Sequence, residues 1–411
     1  MHPPFNNTLF VSFTYPTFAG SGSQKRAASL VEMLIMQGDV CLLVIHQETQ
    51  SSSAVIDHSM DRLCRAVYHL HVVQSAEPDE AAQEYGIQIT CKPGQVASTM
   101  RGIYEQYHLQ QLFVFRIETY CLMEGGLNFY PVKYIDLDEL SSRRNQLIDD
   151  LKQKTGAMIT NQNSAQRGNR LLGLLEKKVI PEFDHVFAAS AFEANEICFH
   201  TNCSRINVLP NVLPEVKKRF KHTRAVVPEI LFVGSFFYYP NEDAVHYFVN
   251  AIFPIIYQRL QGNVRFCIVG FSASESVRSL ADYPGVVCYG AQDDLTTHYA
   301  KASLVVVPLR AGTGTRIKII EAFTQGCPVV STSIGAAGLH VTSGDDIILA
   351  DTSEAFAEAC LNVLHDPILA ERLIQGGYQL HQRLYSLRAL ARHYRAAINL
   401  SNEKSLPFCE S

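Results

Sequence analysis

Apolar positions along this chain recur in two alternating rhythms. Short β-branched and aromatic runs end in small or polar loops, and stretches with apolar residues three and four apart follow them. The first run covers residues 8–13. A loop with Gly20 and Gly22 follows, then a helical pattern from about Gln24 to Gln37 that stops at Gly38. A second strand is predicted over 40–45, so the chain opens as a parallel sheet with a glycine-bearing first turn. Further strands are predicted over 68–73, 111–116, 133–139 and 183–189, and Ile206 to Leu209 leads to Pro210-Asn211. One long charged helical stretch is predicted over 141–178, and Ser190 caps a helix over 191–199.

The alternation restarts after a polar stretch with two prolines, 214–228, which holds Lys217, Lys218, Arg219, Lys221 and Arg224. It reads as an exposed basic linker. Strands are then predicted over 229–234, 264–270, 285–290, 304–309, 328–332 and 346–350. Helices are predicted over 242–260, 293–300 and 316–325, with more to about Asn399. The expected fold class is α/β, with two doubly wound domains. These are residues 1–213, 214–385, and a C-terminal helix and tail, 386–411, that can pack back on the first domain.

The segment from Val305 to Phe323 concentrates the chemistry. A β-branched run ends in Pro308-Leu309-Arg310-Ala311-Gly312-Thr313-Gly314-Thr315, and a helix follows with Arg316, Lys318 and Glu321. The glycines let backbone approach a ligand, and the first helical N–H groups lack partners within the helix. The helix dipole and two cations favour an anion there, and Glu321 can accept hydrogen bonds from hydroxyls. A diphosphate joined to sugars fits these donors and acceptors. Simple exposure on a helix is the alternative for both cations.

At 411 residues the chain is too long for one ordinary core. Its net charge of −5 gives no case for nucleic acid as a partner. No apolar run is long enough to span a bilayer, and the N-terminus has no signal-peptide pattern, which leads to a cytoplasmic expectation. The eleven cysteines are scattered without metal-type spacing, as reduced core thiols would be.

Residues 229–390 resemble the retaining glycosyltransferases of the GT-B fold, specifically the family 4 group. The resemblance rests on Phe232-Val233-Gly234-Ser235 with Pro240-Asn241-Glu242, on Phe266-Cys267-Ile268-Val269-Gly270, on Val286 to Gly290 with Asp294-Leu295, and on the Val305–Thr332 run. The first half resembles the family's acceptor domain more loosely, through the Gly20/Gly22 loop, the Asp136-Leu137-Asp138-Glu139 turn, and residues 183–187 with Pro210-Asn211. The resemblance implies two Rossmann-like domains facing across a cleft that closes over both substrates.

It also implies roles. Glu321 matches the second acid of the family's E-x7-E motif and would hold the donor ribose. The first acid falls at Thr313, a departure that leaves donor-sugar identity open. Gly314, Thr315 and Arg316 take the places whose backbone approaches the donor. Gly234 and Ser235 lie in the segment where relatives often carry diphosphate-binding cations, absent here, so Arg316 and Lys318 are expected to compensate. Tyr289, Gly290 and Leu295 match the nucleobase wall, with core packing as the alternative for Tyr289. Gly20 and Gly22 would bring backbone near the acceptor or form a plain tight turn. Lys25 and Arg26 would meet an anionic acceptor or face solvent. The acidic turn would bind acceptor or cap the next helix, and His185 reads as structural.

The implied reaction is retaining transfer of a hexosyl or related sugar from a nucleoside-diphosphate sugar to a hydroxyl acceptor. That acceptor is a polysaccharide, a lipid-linked glycan or a secondary metabolite. No cofactor or metal is expected, and Asp293-Asp294 reads as a helix cap. A membrane-bound acceptor would call for peripheral contact at the inner face of the membrane. The alternatives are a sugar-nucleotide epimerase of the same fold and a non-catalytic sugar-nucleotide-binding protein.

Overall fold

In the computed structural model of the chain, the described residues are 7–47, 59–72, 94–121, 123, 126–157, 162–216, 227–292 and 294–402. The basic residues of the expected linker, Lys217 to Arg224, lie outside them, as does Asp293. The chain divides into two compact units. The first is Met1–Gln146, Thr160–Asn211 and Leu387–Ser411, and the second is Leu147–Ile159 and Val212–Ser386. Leu147–Ile159, inside the segment read as the first domain, thus groups with the second unit.

The first unit holds a seven-stranded parallel sheet in the order β3-β2-β1-β4-β5-β6-β7. The strands are β1 Thr8–Ser12, β2 Val40–Gln47, β3 Ala66–Val72, β4 Gln111–Phe115, β5 Val132–Asp138, β6 His185–Ala188 and β7 Ile206–Val208. β1 and β4 are buried at every position, as central parallel strands covered on both faces must be. Alternation divides their side chains. Leu9, Val11, Leu112 and Val114 join an aliphatic core on one face. Phe10, Phe113 and Phe187 stack on the other, with ring centroids 5.4 and 5.8 Å apart. Tyr394, on the C-terminal helix Leu387–Asn402, lies 6.0 Å from Phe187 and 6.1 Å from Tyr134, and so closes that aromatic face.

The long helical stretch is two helices, Ser141–Thr155 and Gln162–Val179. The first ends because Gly156 turns into the left-handed region (φ 71°), which lets Ala157 N–H return to the Lys152 carbonyl at 2.9 Å. The helix Gln95–Tyr107 has no counterpart in the sequence reading. Its start, Gly94, makes no side-chain cap bond, and it ends on a left-handed His108 instead of a glycine.

The second unit repeats the plan with a six-stranded parallel sheet, β10-β9-β8-β11-β12-β13. Its strands are β8 Glu229–Val233, β9 Arg265–Val269, β10 Val286–Gly290, β11 Leu304–Val307, β12 Val329–Ser331 and β13 Ile348–Leu349. Strand order reverses between the neighbours β8 and β11. Ligands in open α/β sheets bind beyond the strand carboxyl ends at such a reversal. The loops that leave β8 and β11 carry Gly234-Ser235 and the run from Pro308 to Arg316.

Candidate functional site: an anion cradle at the strand reversal of the second unit

The helix that follows β11 is Ile317–Gln325, with Arg316 at its cap position. Ile319, Ile320 and Phe323 are buried, which leaves Lys318 and Glu321, three apart, on the opposite face. Arg316 makes no side-chain cap bond, and Ile319 N–H returns to the Arg316 carbonyl at 2.9 Å, which leaves the N–H groups of Ile317 and Lys318 for a ligand among the described residues.

Arg316 is 6% exposed. Its Nη1 donates to the carbonyls of Thr313 and Gly314, which ties the guanidinium to its own loop. Its Nε and Nη2 are buried without a hydrogen-bond partner among the described residues. A buried charged donor with unfilled valences is costly unless something fills them. Gly312 makes room for this side chain. Its φ is 130°, and a Cβ there would sit 2.8 Å from Arg316 Nη2 and 2.6 Å from the Tyr238 hydroxyl.

Lys318 reaches back to the β8 loop. Its Nζ donates to Asn241 Oδ1 at 2.7 Å and stands 4.1 Å from the centroid of the Phe232 ring. Asn241 Nδ2 in turn donates to the Ser235 carbonyl at 2.8 Å. Lys318 Nζ also lies 3.1 Å from where a Cβ on Gly234 would be, so Gly234, Ser235 and Lys318 meet. The Lys318 pKa falls to about 7, through burial first and the Arg316 charge second, with Glu321 opposing the fall.

Glu321 accepts a hydrogen bond from the fully buried Tyr299 hydroxyl at 3.1 Å. Tyr299 belongs to the helix Thr296–Lys301, whose cap is Leu295. His298 of that helix packs against Tyr289, with ring centroids 4.7 Å apart. Tyr289 is 41% exposed, so plain core packing does not describe it. Gly290, left-handed at φ 68°, accepts the Gly270 N–H at 2.9 Å. Asp294 Oδ1 accepts the Thr296 N–H at 2.8 Å and so serves the turn into this helix.

The first unit's residues are used differently. Ser21 caps the helix Gly22–Ile35 in a reciprocal capping box with Gln24. A Cβ on Gly20 would collide with the Gln24 side-chain amide, so Gly20 serves that cap and Gly22 opens the helix. Arg26 neither meets solvent nor stands free for an acceptor. It is 1% exposed and donates from Nε and Nη2 to Asp136 at 2.8 and 2.6 Å. Its Nη1 donates to the Leu209 carbonyl and Asn211 Oδ1, both at 3.0 Å. Burial alone would lower its pKa, but Asp136 and Asp138 more than reverse that. Lys25 is also buried. The acidic turn is matched with arginines: Asp138 lies 3.5 Å from Arg26, and Glu139 lies 3.3 Å from Arg144. The pairing of Arg26 with the turn, 110 positions away at Asp136, carries no local sequence signal. His185 stacks on Tyr134 at 4.8 Å, and burial lowers its pKa.

The nine described cysteines are free, and Cys198 is exposed, unlike the core thiols expected. No group of three or more His, Cys, Asp or Glu suited to a metal ion occurs among the described residues. No helix of the described residues is long and apolar enough to cross a membrane.

Comparisons with known proteins bear on the segment and the fold. Residues 227–366, which contain the cradle, match the family described as Glycosyl transferases group 1. An "uncharacterized 44.6 kDa protein in cps region" of Klebsiella pneumoniae is 23% identical over 377 residues, covering 86% of this chain and 90% of that one. Among solved structures, sucrose-phosphate synthase from Thermosynechococcus elongatus is similar with a TM-score of 0.66 at 18% identity, over 97% of this chain and all of that one (100%). HepE of Anabaena, solved in complex with UDP and glucose, is similar with a TM-score of 0.64 at 12% identity, over 96% and 100% of the two chains. The fold and the matched segment define a GT-B glycosyltransferase. The protein is therefore an enzyme, a transferase.

Proposed function

We propose that this enzyme moves a sugar from a nucleoside-diphosphate sugar to a hydroxyl acceptor with retention at the anomeric carbon, as a member of the family 4 group. The observation that carries the reading is the pair of unfilled Arg316 donors beside Lys318 at an uncapped helix start. A diphosphate fills those donors. As the bond from the anomeric carbon to the phosphate oxygen breaks, negative charge grows on the leaving diphosphate, and Arg316, Lys318 and the Gly314–Arg316 backbone stabilise it. The acceptor oxygen bonds to the same face of the sugar, and its proton passes to the leaving phosphate. No cofactor or metal is required.

Glu321, oriented by Tyr299, accepts from the ribose hydroxyls, and Tyr289, Gly290 and Leu295 flank the base. Gly234, Ser235, Thr313, Gly314 and Thr315 line the donor, and Gly20 and Gly22 stand on the acceptor side. The glucose and UDP seen with HepE support a uridine-type donor. The acceptor is a glycan, a lipid-linked glycan or a small molecule. Free thiols support a reducing, cytoplasmic setting. A nuclear magnetic resonance assay of UDP-glucose and related donors with candidate acceptors tests the reading. Free nucleoside diphosphate and a product of unchanged anomeric configuration are expected; an inverted product, or a changed sugar on an intact nucleotide, overturns it.

Two further outcomes follow from the same site. Glu321→Ala is expected to weaken UDP binding about 10- to 100-fold, since a hydrogen bond to a charged group is worth about 1.5–3 kcal/mol. Calorimetric titration measures this, and equal affinity removes Glu321 from the ribose. Donor affinity is also expected to fall above pH 7. There the free enzyme's Lys318 has lost its proton, so a bound diphosphate must recover it. The limiting slope is about tenfold per pH unit for one proton. UDP-glucose is the right probe, because its diphosphate does not itself titrate near neutrality. Titrations at pH 8 in buffers of different ionisation enthalpy should show proton uptake, and Lys318→Met should abolish it.

A further inference from the structure

The second unit has a cleft that none of the residues at the anion cradle lines. Its volume is about 470 Å³, within the range of small-molecule sites. One wall is the exposed face of the helical stretch that begins at Tyr239, with Tyr239, Glu242, His246, Tyr247 and Asn250 at helical spacing, and Arg310 closes another side.

The polar groups here are fixed on one side and open on the other. Glu242 Oε1 accepts from Ser274 Oγ at 2.8 Å and Ser276 Oγ at 2.6 Å, while Oε2 has no hydrogen-bond partner among the described residues. Arg310 donates from Nε to Asp243 Oδ2 at 2.9 Å and from Nη2 to Asp243 Oδ1, and lies 4.7 Å from the centroid of the Tyr247 ring. Its Nη1 is unused. His246 Nε2 is 3.1 Å from Ser276 Oγ, which leaves Nδ1 open. Tyr239 is set by its hydroxyl, 2.7 Å from Thr155 Oγ1. Pre-positioned donors and acceptors beside aromatic rings need little ordering when a ligand arrives.

We propose that this cleft binds a neutral sugar unit, a saccharide subsite separate from the anion cradle. Arg310 is paired with Asp243 and Lys152 stands 5.5 Å from the Tyr239 ring centroid, so among the lining groups the Glu242 carboxylate is the charge left facing the cleft, and it disfavours an anion there. Neighbouring hydroxyls of a pyranose can donate to Glu242 Oε2 and accept from Arg310 Nη1 and the Asn250 amide. The tyrosine rings offer apolar surface to the C–H faces of the sugar.

Saturation-transfer magnetic resonance on the full chain tests this. The probes are methyl α-D-glucopyranoside, methyl β-D-galactopyranoside, methyl N-acetyl-α-D-glucosaminide and maltotriose, each with the cradle saturated by UDP. At least one probe should give a signal that survives UDP and falls at least fivefold in both Glu242→Gln and Asn250→Ala. Neither change disturbs the Arg310–Asp243 pair, and unchanged thermal unfolding confirms the fold. A stronger signal from maltotriose than from the methyl glycosides points to a glycan chain as the source, and the reverse to a free monosaccharide; either supports the subsite. The proposal is overturned if no probe gives a signal, if UDP removes it, or if both variants keep it. UDP affinity, measured on the same samples, reports on the cradle separately, so either site can fail without the other.

Discussion

Lys318→Met is expected to lower kcat/KM by about 10²–10³, the loss typical when one fixed donor to developing charge is removed. Methionine keeps the aliphatic stem against Phe232 but withdraws the ammonium. A loss confined to KM would make Lys318 a binding group only, whereas equal losses in kcat and kcat/KM place its contribution in the transition state. Stability should move the other way. The folded pKa of about 7 lies below that of a lysine in an unfolded chain, so the unfolded state holds more protons above pH 7. The wild type should therefore gain stability between pH 7 and the ordinary lysine range, and the methionine variant should lose that slope in denaturant titrations. A variant that is equally active, with the slope intact, would show that the ammonium neither serves the reaction nor is buried.

Arg26→Met is expected to destabilise the first unit by about 3–5 kcal/mol, the cost of leaving a buried carboxylate without its partner. Asp136 is wholly buried, and Arg26 also satisfies the Leu209 carbonyl and Asn211. A loss of that size is a large part of the stability typical of a domain, about 5–15 kcal/mol. Urea unfolding followed by hydrogen exchange in β1 and β5 isolates the unit concerned. The double change Arg26→Met with Asp136→Leu should recover part of the loss, because it removes the stranded charge. If the single variant is as stable as wild type, the pair is incidental. If the double variant is worse than either single one, the backbone partners of Arg26 matter more than its carboxylate.

Local periodicity marked the strands well, because buried parallel strands are continuous runs such as Leu304–Val307 and Phe266–Val269. Helices were legible where ordinary caps announce them, as Ser190 does. Gln95–Tyr107 escaped because neither end carries the usual residues. The donor loop was readable because its chemistry is contiguous, from Gly312 to Glu321. What joins that loop to the rest was not. The bond from Lys318 to Asn241 spans 77 positions, and that from Arg26 to Asp136 spans 110. Nothing near Arg26 in the chain distinguishes a buried anchor from a cation awaiting a ligand. The cleft beside Tyr247 shared that obscurity, since its walls come from four separate stretches.

Tyr394 covers Tyr134 and Phe187 from a helix made after the whole of the second sheet. A ribosome that has finished β7 has therefore not yet synthesised the lid for those rings. The earlier half of the polypeptide must wait through some 180 further residues, at translation rates of about 5–20 per second, with an aromatic surface uncovered. During that interval the exposed rings are open to non-native contacts that the last helix later forecloses.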